Sequence, residues 1–292
     1  MKHTLKSAQL IIDIESLGGE LMSIRSQSGH EYLWQGDATF WKGRATNLFP
    51  FVGRRIEERY LYKGQSYNLK IHGFVKEYDL KVDESTDSTL TFLLKSDEDT
   101  LSKYPFSFEY RIRYTLKGSK LEMEYQVINK DAKTMYFGIG GHPGFFVPIK
   151  QGLTFEDYYL EFDEVHTPNL QLLTDTCFIT GKKEPYPLKD GKILPLEHSL
   201  FDRDALVFSE INTGVTLKSD KDNGYVRVEY PDMPYLGLWH KPKTEAPYVC
   251  IEPWASLPGS DGEITDLEKK ADLVKLEAGK TYSNLWSITI GL

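Results

Sequence analysis

Cysteine is scarce: Cys177 and Cys250 are the only two in 292 residues. Far apart in the chain, they make neither a disulfide framework nor a clustered metal site. Long apolar runs are also missing. No window approaches the roughly 18 to 20 apolar residues of a membrane span, and Met1 to Ile14 holds no apolar run of the length a secretory signal needs. Positive charge is in the minority, with 35 Lys and Arg against 43 Asp and Glu and a net charge of -8. No basic stripe is available for a phosphate backbone, so nucleic acid is excluded as a partner. Repeats, low-complexity tracts and linkers are lacking too, which points to one domain over residues 1–292. The expectation is a soluble cytoplasmic protein, with no membrane partner, as a monomer or homodimer.

What is present is material for a β-rich core. Hydrophobic residues make up 40% and aromatic residues 13%, including 18 tyrosines that suit half-buried strands or a polar groove. Residues 9–14 and 21–26 read as two short strands around Ser16-Leu17-Gly18-Gly19. The segment 42–55, with Phe49-Pro50-Phe51 and Gly53-Arg54-Arg55, follows neither period and reads as a loop. Residues 60–69 form a hairpin with Gly64 at its tip. Alternation is then strong: Phe106, Phe108, Tyr110, Ile112, Tyr114 and Leu116 share one face, as do Leu121, Met123, Tyr125 and Val127 after the turn at Lys117-Gly118-Ser119.

Residues 147–204, with five prolines, read as a long irregular excursion of the kind that carries function or covers an edge. Strands resume at 205–209, 215–219, 225–230, 235–240 and 248–254, and the chain closes on a strand at 282–290. The segment 263–270 is the one fair helix candidate, and Asp97-Glu98-Asp99 reads as a solvated acidic turn. Fifteen or more strands with little helix predict an all-β fold, a large and mostly antiparallel β-sandwich.

Three ionisable residues share a local grammar. His72 precedes Gly73, His142 precedes Pro143 within Gly138-Ile139-Gly140-Gly141-His142-Pro143-Gly144, and Glu252 precedes Pro253. Each sits where an apolar β-like run meets a backbone-shaping residue, the arrangement by which a strand end delivers a side chain to a cleft. The glycines around His142 let other groups approach the main chain closely. No helix follows them and a proline stands where a dinucleotide loop needs its third glycine, so that motif is excluded.

Together with Asn47-Leu48-Phe49-Pro50-Phe51-Val52-Gly53-Arg54 and the closing Leu276-Glu277-Ala278-Gly279-Lys280, these segments resemble the aldose 1-epimerase (galactose mutarotase-like) superfamily, and within it the LacX-like branch. The likeness runs in order through nearly the whole chain. It implies a supersandwich whose concave face binds a sugar, with Glu252 as general base, His142 as general acid and His72 orienting the substrate. It implies no metal and no cofactor. The chemistry suits these residue types: exchanging α and β anomers takes a proton from the anomeric hydroxyl and gives one to the ring oxygen, and positioned acid–base groups contribute roughly 10² to 10⁴-fold.

Arg54 lies in the motif that supplies an arginine to sugar hydroxyls, although Arg54-Arg55-Ile56 stands where many mutarotases read Asn-Arg-Ile. That departure leaves two readings of the extra guanidinium open: a phosphate held by Arg54 and Arg55, as the likeness to hexose-phosphate mutarotases implies, or a plain surface pair with Glu57 or Glu58. Asp204 falls where the family has an aspartate reaching a sugar hydroxyl, against the plainer reading of a turn aspartate. Among Trp41, Phe145, Trp239 and Trp254, Trp254 is the first choice for an aromatic floor. His240 reads as a surface histidine at a strand end, and His3, His30, His166 and His198 have no supporting context. Three rivals remain: a non-catalytic sugar-binding protein of the same fold; a metal enzyme, disfavoured because no His-x-His or His-x-x-x-His spacing exists; and a glycoside hydrolase, which needs two opposed carboxylates where only Glu252 presents itself.

Overall fold

Alternating burial along the chain organises the computed structural model, which describes residues 1–211 and 214–291. In Phe108–Lys117 and Lys120–Asn129 every second side chain is buried, and the pairing sets Leu116 against Leu121, Tyr114 against Met123 and Ile112 against Tyr125. These strands sit within a nine-stranded sheet. Its order is Ile193–Pro195, Tyr159–Phe162, Gly214–Ser219, Asp222–Glu229, Thr281–Gly291, Lys120–Asn129, Phe108–Lys117, Thr89–Lys95 and Lys81–Ser85.

A seven-stranded sheet packs on its buried face. The order is Ile179–Pro185, Asn169–Leu173, Leu206–Ser209, Tyr235–Trp239, Tyr248–Trp254, Gly140–Phe146 and Ala45–Leu48. Each pair within either sheet is antiparallel. Between the sheets, Asn47 donates to the Gly18 and Gly19 carbonyls and accepts from the Tyr125 hydroxyl, which satisfies a buried amide and ties the Ala45–Leu48 edge strand to the larger sheet. The all-β sandwich expected from the alternation is the observed architecture.

Several local expectations are corrected. The excursion 147–204 contains four strands, Tyr159–Phe162, Asn169–Leu173, Ile179–Pro185 and Ile193–Pro195. Pro185 and Pro195 close strands at sheet edges, where a missing N–H costs nothing in the ladder. The segment 42–55 contributes the strand Ala45–Leu48, and Lys2–Lys6 adds an unforeseen strand at the start of the chain. No helix forms at 263–270, where Thr265–Asp266 pairs in parallel with Arg59–Tyr62. The α-helix among the described residues is Glu98–Lys103, at the supposed acidic turn. Asp97 is its N-cap: its carboxylate accepts from the Thr100 N–H at 2.8 Å, and the Thr100 hydroxyl accepts from the Asp97 N–H at 2.8 Å. Glu98 and Asp99 in the first turn favour the helix dipole, so the acidic run is a helix start.

Candidate active site

Register brings the two principal residues together. Gly140–Phe146 pairs with Tyr248–Trp254 so that Gly140 faces Trp254 and Gly144 faces Cys250. The same antiparallel register sets His142 opposite Glu252, with both side chains on one face. His142 Nε2 lies 3.2 Å from Glu252 Oε2. His142 is therefore mid-strand, not at a strand end.

The glycines around His142 are there for close approach. A Cβ on Gly141 would lie 2.5 Å from the Trp286 ring, one on Gly140 2.6 Å from the Pro253 carbonyl, and one on Gly138 2.0 Å from the Ser256 hydroxyl. The Trp254 ring lies against Gly140 and Gly237, which hold no side chain to displace it. The His142 ring stacks on Trp41 at a centroid distance of 4.7 Å and meets Trp239 edge-on at 5.8 Å. Trp41 is itself placed by the Trp34 indole N–H, which donates to the Trp41 carbonyl at 2.8 Å.

His72 arrives from a turn. Its φ is 64° and that of Gly73 is 73°, two successive left-handed residues. The Gly53 N–H donates to His72 Nδ1 at 3.2 Å, so a neutral His72 carries its proton on Nε2. The rings of His72 and His142 meet edge to face with centroids 5.3 Å apart. Gly73 has no room for a side chain: a Cβ would lie 2.2 Å from the Phe49 carbonyl oxygen. Gly73→Ala is expected to destabilise by roughly 3 kcal/mol or more, combining left-handed strain with forced backbone displacement. Urea denaturation measures it, and an unchanged midpoint would show that the turn adapts freely.

These side chains line a cavity of about 340 Å³ together with Trp41, Thr46, Arg54, Lys76, Asp204 and Trp254. That size lies at the small-ligand end of the usual pocket range of roughly 300–1,000 Å³. Burial governs the electrostatics. His142 is 8% and Glu252 2% exposed. Burial lowers His142 from 6.5 to about 3. It raises Glu252 well above the usual carboxyl value, with the charge of Asp204 adding to the rise and the Trp254 indole N–H opposing it. His72 is pulled well below 6.5, by removal from water first and then by the charges of His142 and Lys76.

The sequence-selected residues divide. Glu252, His142, His72, Arg54, Asp204 and Trp254 all face the one cavity. Asp204, with φ 80°, also accepts from the Ala205 N–H at 2.9 Å, so the turn reading and the cavity reading both hold for it. Arg55 turns away: its guanidinium lies 3.8 Å over the Phe51 ring, donates to the Lys70 carbonyl at 3.3 Å and lines a neighbouring depression with Glu57 and Glu58. Phe145 is wholly buried in the core and does not line the cavity.

His240 is not on the surface. It is 0% exposed, with Nε2 3.1 Å from His198 Nδ1 and its ring against Phe155 and Phe201. Sequence reasoning missed Lys76 and Thr46. Lys76 follows His72 by four residues across the Val75–Glu77 3-10 turn and donates to the Ile71 carbonyl, a short spacing that could have flagged it. Thr46 pairs with His142 across the edge strand, a long-range relation with no local signal.

Comparison with known proteins is consistent along the whole chain. A family profile described as Aldose 1-epimerase matches residues 1–284. The chromosomally encoded LacX protein of Lactococcus lactis subsp. lactis is 34% identical over 298 residues, covering 99% of each chain. A galactose mutarotase related enzyme from Lactobacillus acidophilus superposes with a TM-score of 0.95 at 36% identity, covering 100% of this chain and 98% of that one. A galactose mutarotase-like protein from Lactobacillus casei superposes with a TM-score of 0.93 at 31% identity, over 99% and 100% of the two chains.

Proposed function

The chain belongs to the aldose 1-epimerase family, and from that premise we propose that it interconverts the α and β anomers of an aldose through Glu252 and His142. The observation that carries this reading is their 3.2 Å contact across two paired strands at the wall of a sugar-sized cavity. The anomeric hydroxyl and the ring oxygen are borne on one carbon, so an acid and a base that serve both must themselves be neighbours.

Burial by itself favours a carboxylic acid beside a neutral imidazole. The carboxylate–imidazolium arrangement holds the same single proton, and sugar hydroxyls entering the cavity stabilise it by hydrogen bonding. From that arrangement Glu252 takes the proton of the anomeric hydroxyl while His142 gives one to the ring oxygen. The bond between the anomeric carbon and the ring oxygen breaks, the chain turns about C1–C2, and the aldehyde recloses on its other face. The protons return by the same two groups, and none is gained or lost. His72, with its proton on Nε2, donates a hydrogen bond to the sugar and holds the ring oxygen side toward His142.

A second reading, a phosphorylated hexose as substrate, is favoured by the cations at the cavity. Arg54 is exposed at its rim and Lys76 stands in its wall. Arg55, buried against Phe51, is the less suitable of the two arginines for that role. Polarimetry and NMR exchange on matched free and phosphorylated hexoses separate the readings. For a phosphorylated substrate, Arg54→Ala is expected to lower kcat/KM by about 10 to 100-fold, the worth of a charge-assisted contact, and to leave turnover of the free hexose unchanged. Equal loss on both would assign Arg54 to the sugar itself. No acceleration with any sugar would favour a non-catalytic sugar-binding role.

A further inference from the structure

Cys250 stands directly behind the acid–base pair. It lies two residues before Glu252 on the same strand face, and its strand partner is Gly144, which has no side chain to screen it. Cys250 Sγ, a ring nitrogen of His142 and a carboxylate oxygen of Glu252 all lie within 4.8 Å of one another. All three residues are buried, and Glu252 Oε2 has no hydrogen-bond partner among the described residues. We infer that this triad is a capture site for a borderline-soft divalent cation of the zinc type, and that its occupation shuts off the acid–base pair.

The chemistry fits in three respects. Thiolate, imidazole and carboxylate are the donor set of a three-ligand zinc site whose remaining position is open, and here the open side is the cavity. The 3.2 Å between His142 Nε2 and Glu252 Oε2 suits two ligands at roughly 2.0–2.2 Å from one tetrahedral ion, and Cys250 Sγ, within 4.8 Å of a donor atom on each, moves inward to complete the set. A dication with one thiolate, one carboxylate and one neutral imidazole has no net charge, which removes the main cost of burying an ion.

On binding, the Cys250 S–H bond breaks and a sulfur–metal bond forms; the single proton shared by Glu252 and His142 leaves as well, and both protons pass to buffer. The metal then occupies the lone pairs on Glu252 and on His142 Nε2 that proton transfer requires. His142 Nδ1 has no hydrogen-bond partner among the described residues. A ligand histidine without such an orienting contact binds more weakly, so the ion is a reversible inhibitor and not a resident cofactor.

The inhibition half of this inference rests on the mutarotase reading; the binding half does not, so the two are tested separately. Reduced full-length protein is titrated with Co²⁺ and followed by absorption. One equivalent is expected to bind with a thiolate-to-cobalt charge-transfer band, and Zn²⁺ is expected to bleach it. Because the chain has two cysteines, persistence of the band in Cys177→Ser assigns it to Cys250 even if a Cys250 variant folds poorly. Cys250→Ser is expected to lose the band. In the mutarotation assay Zn²⁺ should inhibit the wild type, a chelator should restore the rate, and Cys250→Ser should need at least about tenfold more Zn²⁺ for half-inhibition. Absence of the band in saturated wild type, or its loss in Cys177→Ser, overturns the site. A bound ion that leaves an active enzyme fully active overturns the inhibitory role.

Discussion

Glu252→Gln is expected to lower kcat for anomer interconversion by about 10² to 10⁴-fold with little change in KM. Glutamine keeps the shape and the hydrogen-bonding oxygen of the side chain but cannot take a proton, so the loss falls on the transition state. At 1.36 kcal/mol per factor of ten, this is roughly 3 to 5 kcal/mol of barrier. Stability should move the other way. The carboxyl is held well above its ordinary 4.5 by burial and by Asp204. A raised pKa contributes stability that is complete below the unfolded value and is lost as pH rises through the folded value. At pH 7 to 8 glutamine escapes that loss, so Tm of the variant should equal or exceed that of wild type. NMR exchange rates and a thermal melt on the same preparation test both halves. A rate within tenfold of wild type would remove Glu252 from the role of base.

His142→Asn should cause a loss of the same order, about 10² to 10⁴-fold, because asparagine donates a hydrogen bond to the ring oxygen but not a proton. The double variant should be little worse than the worse single one, since the two residues act as one device. A product of the two single losses would mean that they act independently. The pH profile offers a second check. Burial lowers His142 to about 3, so kcat/KM, after subtraction of the uncatalysed rate, should show no acid limb from this histidine at pH 5 or above. An acid limb centred near the ordinary 6.5 would place the titrating histidine in water. The same shift has a stability consequence of definite sign: a buried neutral histidine destabilises the fold as pH falls below 6.5 toward 3, and His142→Asn should lessen that acid sensitivity.

Legibility differed from element to element. The strands from 106 to 129 were readable because each has one wet and one buried face, which writes a period of two into the residues. Asn169–Leu173 and Ile179–Pro185 were not, because neither face is deeply buried and the alternation disappears. The helix at Glu98–Lys103 was misjudged because acidic residues were counted as solvation when their position made them a cap and a first turn. The glycines at 138–144 correctly announced close approach, yet the objects approaching, Trp286, Trp254 and Ser256, come from distant segments. Arg54 and Arg55 are adjacent and chemically alike; which one faces the cavity is a matter of backbone direction, and the structure turns Arg55 onto Phe51.

Residue order alone determined the β class, the family likeness and the short list of ionisable groups, because periodicity and local backbone chemistry are properties of neighbours in the chain. Only the tertiary structure decided that His142 stands 3.2 Å from Glu252 and that Cys250 lies behind them. Those distances follow from the register between strands more than a hundred residues apart. A shift of one residue would turn one of the two side chains to the opposite face of the sheet.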